Sequence, residues 1–122
     1  MNEDFVTYEL AVKLKEKGFD APCYGYYHCN GGNDSFELCG NGDCDFHNSR
    51  NRYRVAAPTI AQVLKWLREE KKIHIVIDFN GSMGWYYQIA LYGLTTYEKE
   101  SEHKYNSYEQ AALAGIEYYL EI

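Results

Sequence analysis

The residues best equipped for chemistry are gathered in LCGNGDCDFH, residues 38–47, which holds Cys39, Asp43, Cys44, Asp45 and His47, with Cys23 and Cys29 upstream. Thiolate and imidazole are good zinc ligands, and Cys39-x4-Cys44-x2-His47 places three of them in one short loop. Cys29 is a candidate fourth, and Gly40 and Gly42 give the loop freedom to fold around an ion. The same spacing is that of plant-type iron–sulfur ligands, with His in the last place. Against a metal, structural zinc sites deliver paired sulfurs from one tight turn as C-x2-C, and the chain contains no such pair. Cys23 and Cys29 share one side of an extended segment, but ~3.3 Å per residue sets them roughly 20 Å apart, too far for one ion. The reading adopted is a loop of reduced thiols, some buried as small apolar groups, with no cofactor. A zinc site at Cys39, Cys44, His47 and Cys29 is the alternative.

Other chemistry is weaker still. Four Cys and four His permit a nucleophile pair, but no signature surrounds any of them. GGND and GNGD lack the flanking strand, helix and Lys of a phosphate loop. GNGDCD lacks the repeated oxygen ligands of a calcium loop. No catalytic residue emerges, and the chain reads as a non-enzyme.

The second feature that could act on another molecule is aromatic. Thirteen Tyr stand among 122 residues. Tyrosine combines contact area with a polar tip and so suits wet binding surfaces. IHIVIDF (73–79) alternates, with Ile73, Ile75, Ile77 and Phe79 on one side and His74, Val76 and Asp78 on the other. After the turn NGSMG (80–84), WYYQIALY (85–92) alternates again, which predicts a hairpin. If helices cover the isoleucine side, the other side collects His74, Asp78, Tyr86, Gln88 and Tyr92. Tyr24, Tyr26, His28, Arg52 and Arg54 join them in some registers. Such a face fits an unidentified protein or small ligand, a second copy of the chain in a homodimer, or simply solvent.

The elements that must hold this face are legible around it. Thr7 caps a helix from about Tyr8 to Lys17, with Leu10, Ala11 and Leu14 as its apolar stripe and Gly18 as its stop. CYGYYHC (23–29) is extended, NGG (30–32) turns, Phe36 and Leu38 hint at a strand, and RYRV (52–55) is a second extended piece. APTIAQVLKWLREEKK carries Ile60, Val63, Leu64 and Leu67 at helical spacing behind a Thr59/Gln62 capping box. A short strand is expected near Thr95–Lys99. Ser107 and Gln110 open a last helix to about Leu120, whose Ala111, Ala112, Ala114 and Gly115 let it lie close to a sheet. The expectation is a single α+β domain over 1–122, in the order α-β-β-α-β-β-β-α. Its antiparallel sheet has about four to five strands, with three helices on one face. The helix-then-strands unit occurs twice, a hint of a pseudo-repeat.

Bulk properties narrow the partners. Net charge is −6 and the cations are scattered, which argues against nucleic acid, whose phosphates call for a basic footprint. No apolar run approaches the ~18 residues of a membrane span. MNEDFVTYEL has neither the basic nor the apolar region of a secretory signal, so a cytoplasmic, thiol-reducing setting is expected.

Taken together, TYELAVKLKEKGFDAPC (7–23), APTIAQVLKWLREEKKIHI (57–75), WYY (85–87) and NSYEQAALAGIEYYL (106–120) resemble a group of small uncharacterised proteins of gut Bacteroidales and of their phages and mobile elements. The resemblance covers most of the chain outside 30–51. It implies a cytoplasmic, phage-derived accessory protein and brings no activity and no catalytic residue with it.

Overall fold

The computed structural model describes residues 4–38, 53–91 and 99–121. The chain forms two compact units, residues 1–59 and 60–122. The class is α+β, as expected, but the strands divide between two three-stranded antiparallel sheets where one continuous sheet was expected.

The first unit opens with α1 (Tyr8–Glu16). Thr7 caps it by accepting from the Leu10 amide, and Leu10, Ala11 and Leu14 form its buried stripe. Its end is a paired-carbonyl stop. Gly18, at φ 95°, donates its N–H to Lys15 O, and Phe19 donates to Leu14 O. Only a residue tolerant of positive φ closes both bonds, which is why the helix ends at this glycine. The sheet has strand order β2-β1-β3, with β1 spanning Gly25–His28, β2 Glu37–Leu38 and β3 Arg54–Ala57. Alternation in β1 buries Gly25 and Tyr27 and leaves Tyr26 and His28 half-buried. The buried side meets α1, which packs on β3. There Tyr27 donates its hydroxyl to Val6 O at 2.5 Å and packs against Tyr8 and Phe36. Burial raises the Tyr27 pKa above its ordinary 10.0, and Glu9 adds to the shift.

In the second unit α2 (Ile60–Trp66) begins directly after Thr59 and runs into a wider turn over Leu67–Lys71. Lys72, at φ 58°, stops it, and its ammonium donates to Glu69 O. The hairpin then pairs β4 (Ile73–Asn80) with β5 (Gly84–Leu91) along the whole length of both strands. Asn80 Oδ1 holds the connecting turn by accepting from the Ser82 amide and hydroxyl. β6 (Lys99–Glu100) joins the far side of β5, giving the order β4-β5-β6. Lys99 closes the range Thr95–Lys99 in which a strand was expected, and the rest of that range lies within 92–98, outside the described residues.

α3 (Tyr108–Leu120) starts at Ser107, whose Oγ accepts from the Gln110 amide. Gln110 reaches back to accept from the Asn106 amide. This helix packs on β4 and β5 and also touches α2. Gly115 is the point of closest approach: a Cβ built there would lie 3.0 Å from both Ile75 Cγ2 and Tyr87 Cγ. The small residues of 111–115 therefore do what their sizes imply. The two units share a helix-then-strands start but not a topology. The first strand is central in one sheet and at the edge in the other, so the pseudo-repeat does not extend to the fold.

Candidate functional site

The β4–β5 register fixes which side chains share a face. Asp78 stands opposite Tyr86, Val76 opposite Gln88, and His74 opposite Ala90. The helix side is the other one, holding Ile73, Ile75, Tyr87 and Ile89, all buried. Of the face residues expected from alternation, His74, Asp78, Tyr86 and Gln88 are together on one side of this sheet. His74 and Asp78 are exposed, and Tyr86 and Gln88 are half-buried. Tyr92 lies outside the described residues.

What half-covers Tyr86 is a side chain the sequence did not single out. Between the pair Gln88–Glu100 and the pair Trp85–Tyr105, β5 advances three residues while the outer strand advances five. The two surplus residues form a bulge, held on both flanks. Ser101 N donates to Tyr87 O, Trp85 N to Tyr105 O, and Tyr105 N to Trp85 O. A bulge re-aims the side chains it carries. Here it swings His103 onto the Tyr86 ring, centroids 3.9 Å apart and planes inclined by 21°.

His103 is fixed at both nitrogens. Its Nδ1 lies 3.2 Å from Asn80 Nδ2, and its Nε2 lies 3.0 Å from Glu100 Oε2. Because Asn80 Oδ1 is occupied by Ser82, the Asn80 amide turns its Nδ2 toward the imidazole and donates to it. Nδ1 is then the acceptor, and the ring proton sits on Nε2 and is donated to Glu100. This assignment follows from the hydrogen-bond pattern. Gln88 Nε2 donates to the other Glu100 oxygen at 2.8 Å. Tyr86, Gln88, Asn80, Glu100 and His103 form one connected network on an open sheet face. Neither imidazole nitrogen keeps a free lone pair for taking a proton from a bound molecule.

The bond from His103 and then the bond from Gln88 hold the Glu100 carboxyl below its ordinary 4.5. A carboxylate with a lowered folded pKa stabilises the fold above its unfolded value and loses that contribution as pH falls through the lowered one. Glu100→Gln is therefore expected to be less stable than the wild-type protein at neutral pH. The gap should close as pH is taken below 4.5, which urea titrations at a series of pH values would read. A gap that persists in acid would assign the effect to something other than ionisation.

The remaining expected residues lie in the first unit. Tyr26 is crossed by the Arg54 guanidinium at 4.7 Å and meets His28 edge-on at 5.6 Å. His28 Nε2 in turn contacts Glu37 Oε2. Tyr24 is 63% exposed. These side chains form a Tyr–His–Glu group on a different sheet from Tyr86. Of the alternative metal site, Cys39, Cys44 and His47 lie outside the described residues, as does Arg52 of the expected face. Cys29 is half-buried, and Cys23 is buried with its Sγ 3.3 Å from Ala21 O. Among the described residues, no three His, Cys, Asp or Glu side chains are grouped to hold a metal ion, and no helix is long and apolar enough to cross a membrane.

The signal for Glu100 and His103 in the sequence is slight: ESEH places them three apart in a polar stretch, with nothing to say which ring they approach. Compared with known proteins, the chain matches no family model, no curated protein and no solved structure.

Proposed function

We propose that this protein is a non-enzymatic binding module that recognises a partner through the open face of its second sheet, around Tyr86, Gln88, Glu100 and His103. The observation that carries the reading is the state of His103. An imidazole fixed at both nitrogens and stacked on a phenol is a rigid part of a surface, not a free base. Rigid aromatic area ringed by fixed hydrogen-bonding groups loses little entropy on contact, which favours recognition. His74 and Asp78 extend the same face with exposed polar groups.

A screen of small fragments followed by protein-observed NMR tests this reading. Bound fragments should shift the amides of Tyr86, Gln88, Glu100 and His103 first, and Tyr86→Ala should weaken those hits by about tenfold, the worth of a well-packed aromatic contact. Hits that gather on the first unit, or affinities that Tyr86→Ala leaves unchanged, would overturn it.

A further inference from the structure

β4 is an edge strand eight residues long, and its outer side is unpaired among the described residues. The direction of its backbone groups follows from the bonds of β5. Trp85 and Tyr87 use their N–H and C=O groups toward the 101–105 segment, so Tyr86, Gln88 and Ala90 turn theirs toward β4. Their partners Asp78, Val76 and His74 face inward, and Ile73, Ile75, Ile77 and Phe79 turn their N–H and C=O away from β5, toward the outer edge. Among the described residues only Phe79 N has a partner there, the Oδ1 of Asp78 at 2.8 Å. Proteins normally blunt such an edge with Pro, Lys, a bulge or a short strand. IHIVIDFN contains no Pro and no Lys, and it pairs with β5 without a bulge.

We infer that this edge is a dimer interface, at which two copies of the chain pair antiparallel through β4 about a two-fold axis at Val76. The sequence of the strand is self-complementary in that arrangement alone. Outward groups belong to odd-numbered residues, so odd must face odd across the axis. With Val76 opposite its own copy, every residue from 73 to 79 is paired. Ile75 then meets Ile77 and Ile73 meets Phe79 on the helix side, while His74 meets Asp78 twice on the open side. Moving the axis to Ile77 places Asp78 against Val76. Moving it to Ile75 places His74 against Val76. Both shifts leave three odd-numbered residues of each strand in hydrogen-bonded register instead of four, and both lose the two charge-complementary pairs. The paired His74 and Asp78 occupy non-hydrogen-bonded sites, where side chains approach most closely. Asp78 gives up its bond to Phe79 N, which pairs instead with the second copy's Ile73 carbonyl. The two open faces become one side of a continuous six-stranded sheet. The pairing stands or falls independently of what the Tyr86 face binds.

The test is solution mass by light scattering across a concentration series, with circular dichroism confirming that each variant is folded. The wild-type chain should reach twice 14.2 kDa. Val76→Lys, which sets like charges against each other on the axis, should hold the mass at 14.2 kDa. His74→Asp should weaken dimerisation by about tenfold through two like-charge pairs, and adding Asp78→Lys should restore it. A wild-type chain that stays monomeric at every concentration overturns the inference, as does a Val76→Lys dimer or a double variant without rescue. His74 and Asp78 are exposed, so the exchange and its rescue read pairing separately from folding.

Discussion

Gly84→Ala is expected to destabilise the second unit by about 3 kcal/mol, the sum of a strained backbone and a steric collision. Gly84 sits at φ 125°, a conformation that side-chain-bearing residues rarely adopt. A Cβ there would also lie 2.9 Å from the Tyr105 carbonyl oxygen and 3.6 Å from that of His103. Both neighbours are backbone, so no rotamer change relieves the contact. The strand carrying the bulge would have to retreat from β5, lengthening the mutual Trp85–Tyr105 bonds and lifting His103 from the Tyr86 ring. Gly81 provides the control within the same turn. A Cβ there meets only Phe79 Cε2 at 3.9 Å, so Gly81→Ala should stay within about 0.5 kcal/mol of wild type. Urea unfolding followed by tryptophan fluorescence suits the comparison, because Trp66 and Trp85 are both in the second unit. Faster amide exchange at Trp85 and Tyr105 in Gly84→Ala would locate the damage. Equal losses in the two variants would show that neither φ nor the close carbonyl matters.

How far this site could be read from the residues depends on the range of the interaction that makes it. Local signals carried well: the Thr7 and Ser107 caps, the stop at Gly18 and the hairpin about residues 80–84 depend on neighbours a few positions apart. The alternation of 73–79 and 85–91 likewise placed His74, Asp78, Tyr86 and Gln88 on one face, because side-chain period is a property of the strand itself. Strand partnership is not. β1 is flanked on both sides by β2 and β3, and β5 by β4 and β6, so among the described residues the strands form two separate sheets of three. Period-two patterning looks the same whether six strands form one sheet or two, and Tyr26 was therefore grouped with residues of another sheet. His103 was missed for a related reason. A two-residue bulge is a mismatch between two strand lengths, visible only when both partners are known. In isolation ESEHKY reads as a solvated turn.

The packing of α3 on the hairpin sets two effects of opposite sign against each other at Gly115, and their balance predicts the second large loss. Removing a glycine from a helix interior gains about 1 kcal/mol of propensity. Against that gain, the first carbon added at Gly115 stands 3.0 Å from Ile75 Cγ2 and Tyr87 Cγ, and 3.2 Å from Tyr87 Cδ1. Ile75 and Tyr87 are each 4% exposed, so both are walled in. Tyr87 is further tied through its amide to Ser101 Oγ and through its carbonyl to Ser101 N. Gly115→Ala should therefore fall short of the full propensity gain, ending near wild-type stability, since a few tenths of an ångström of give suffice. Gly115→Leu has no such escape. Its branched end must enter the space held by the Tyr87 ring, and a loss of about 3 kcal/mol is expected from overpacking. The Tyr87 hydroxyl supplies a second readout. Burial raises its pKa above the ordinary 10.0, with Tyr105 and Tyr118 adding to the shift. A ring pushed outward by leucine should ionise at lower pH, moving back toward 10.0, as its NMR resonances would report. If Gly115→Ala instead stabilises by the full propensity gain and Gly115→Leu is tolerated, α3 does not press on the sheet here, and the small residues of 111–115 need another explanation.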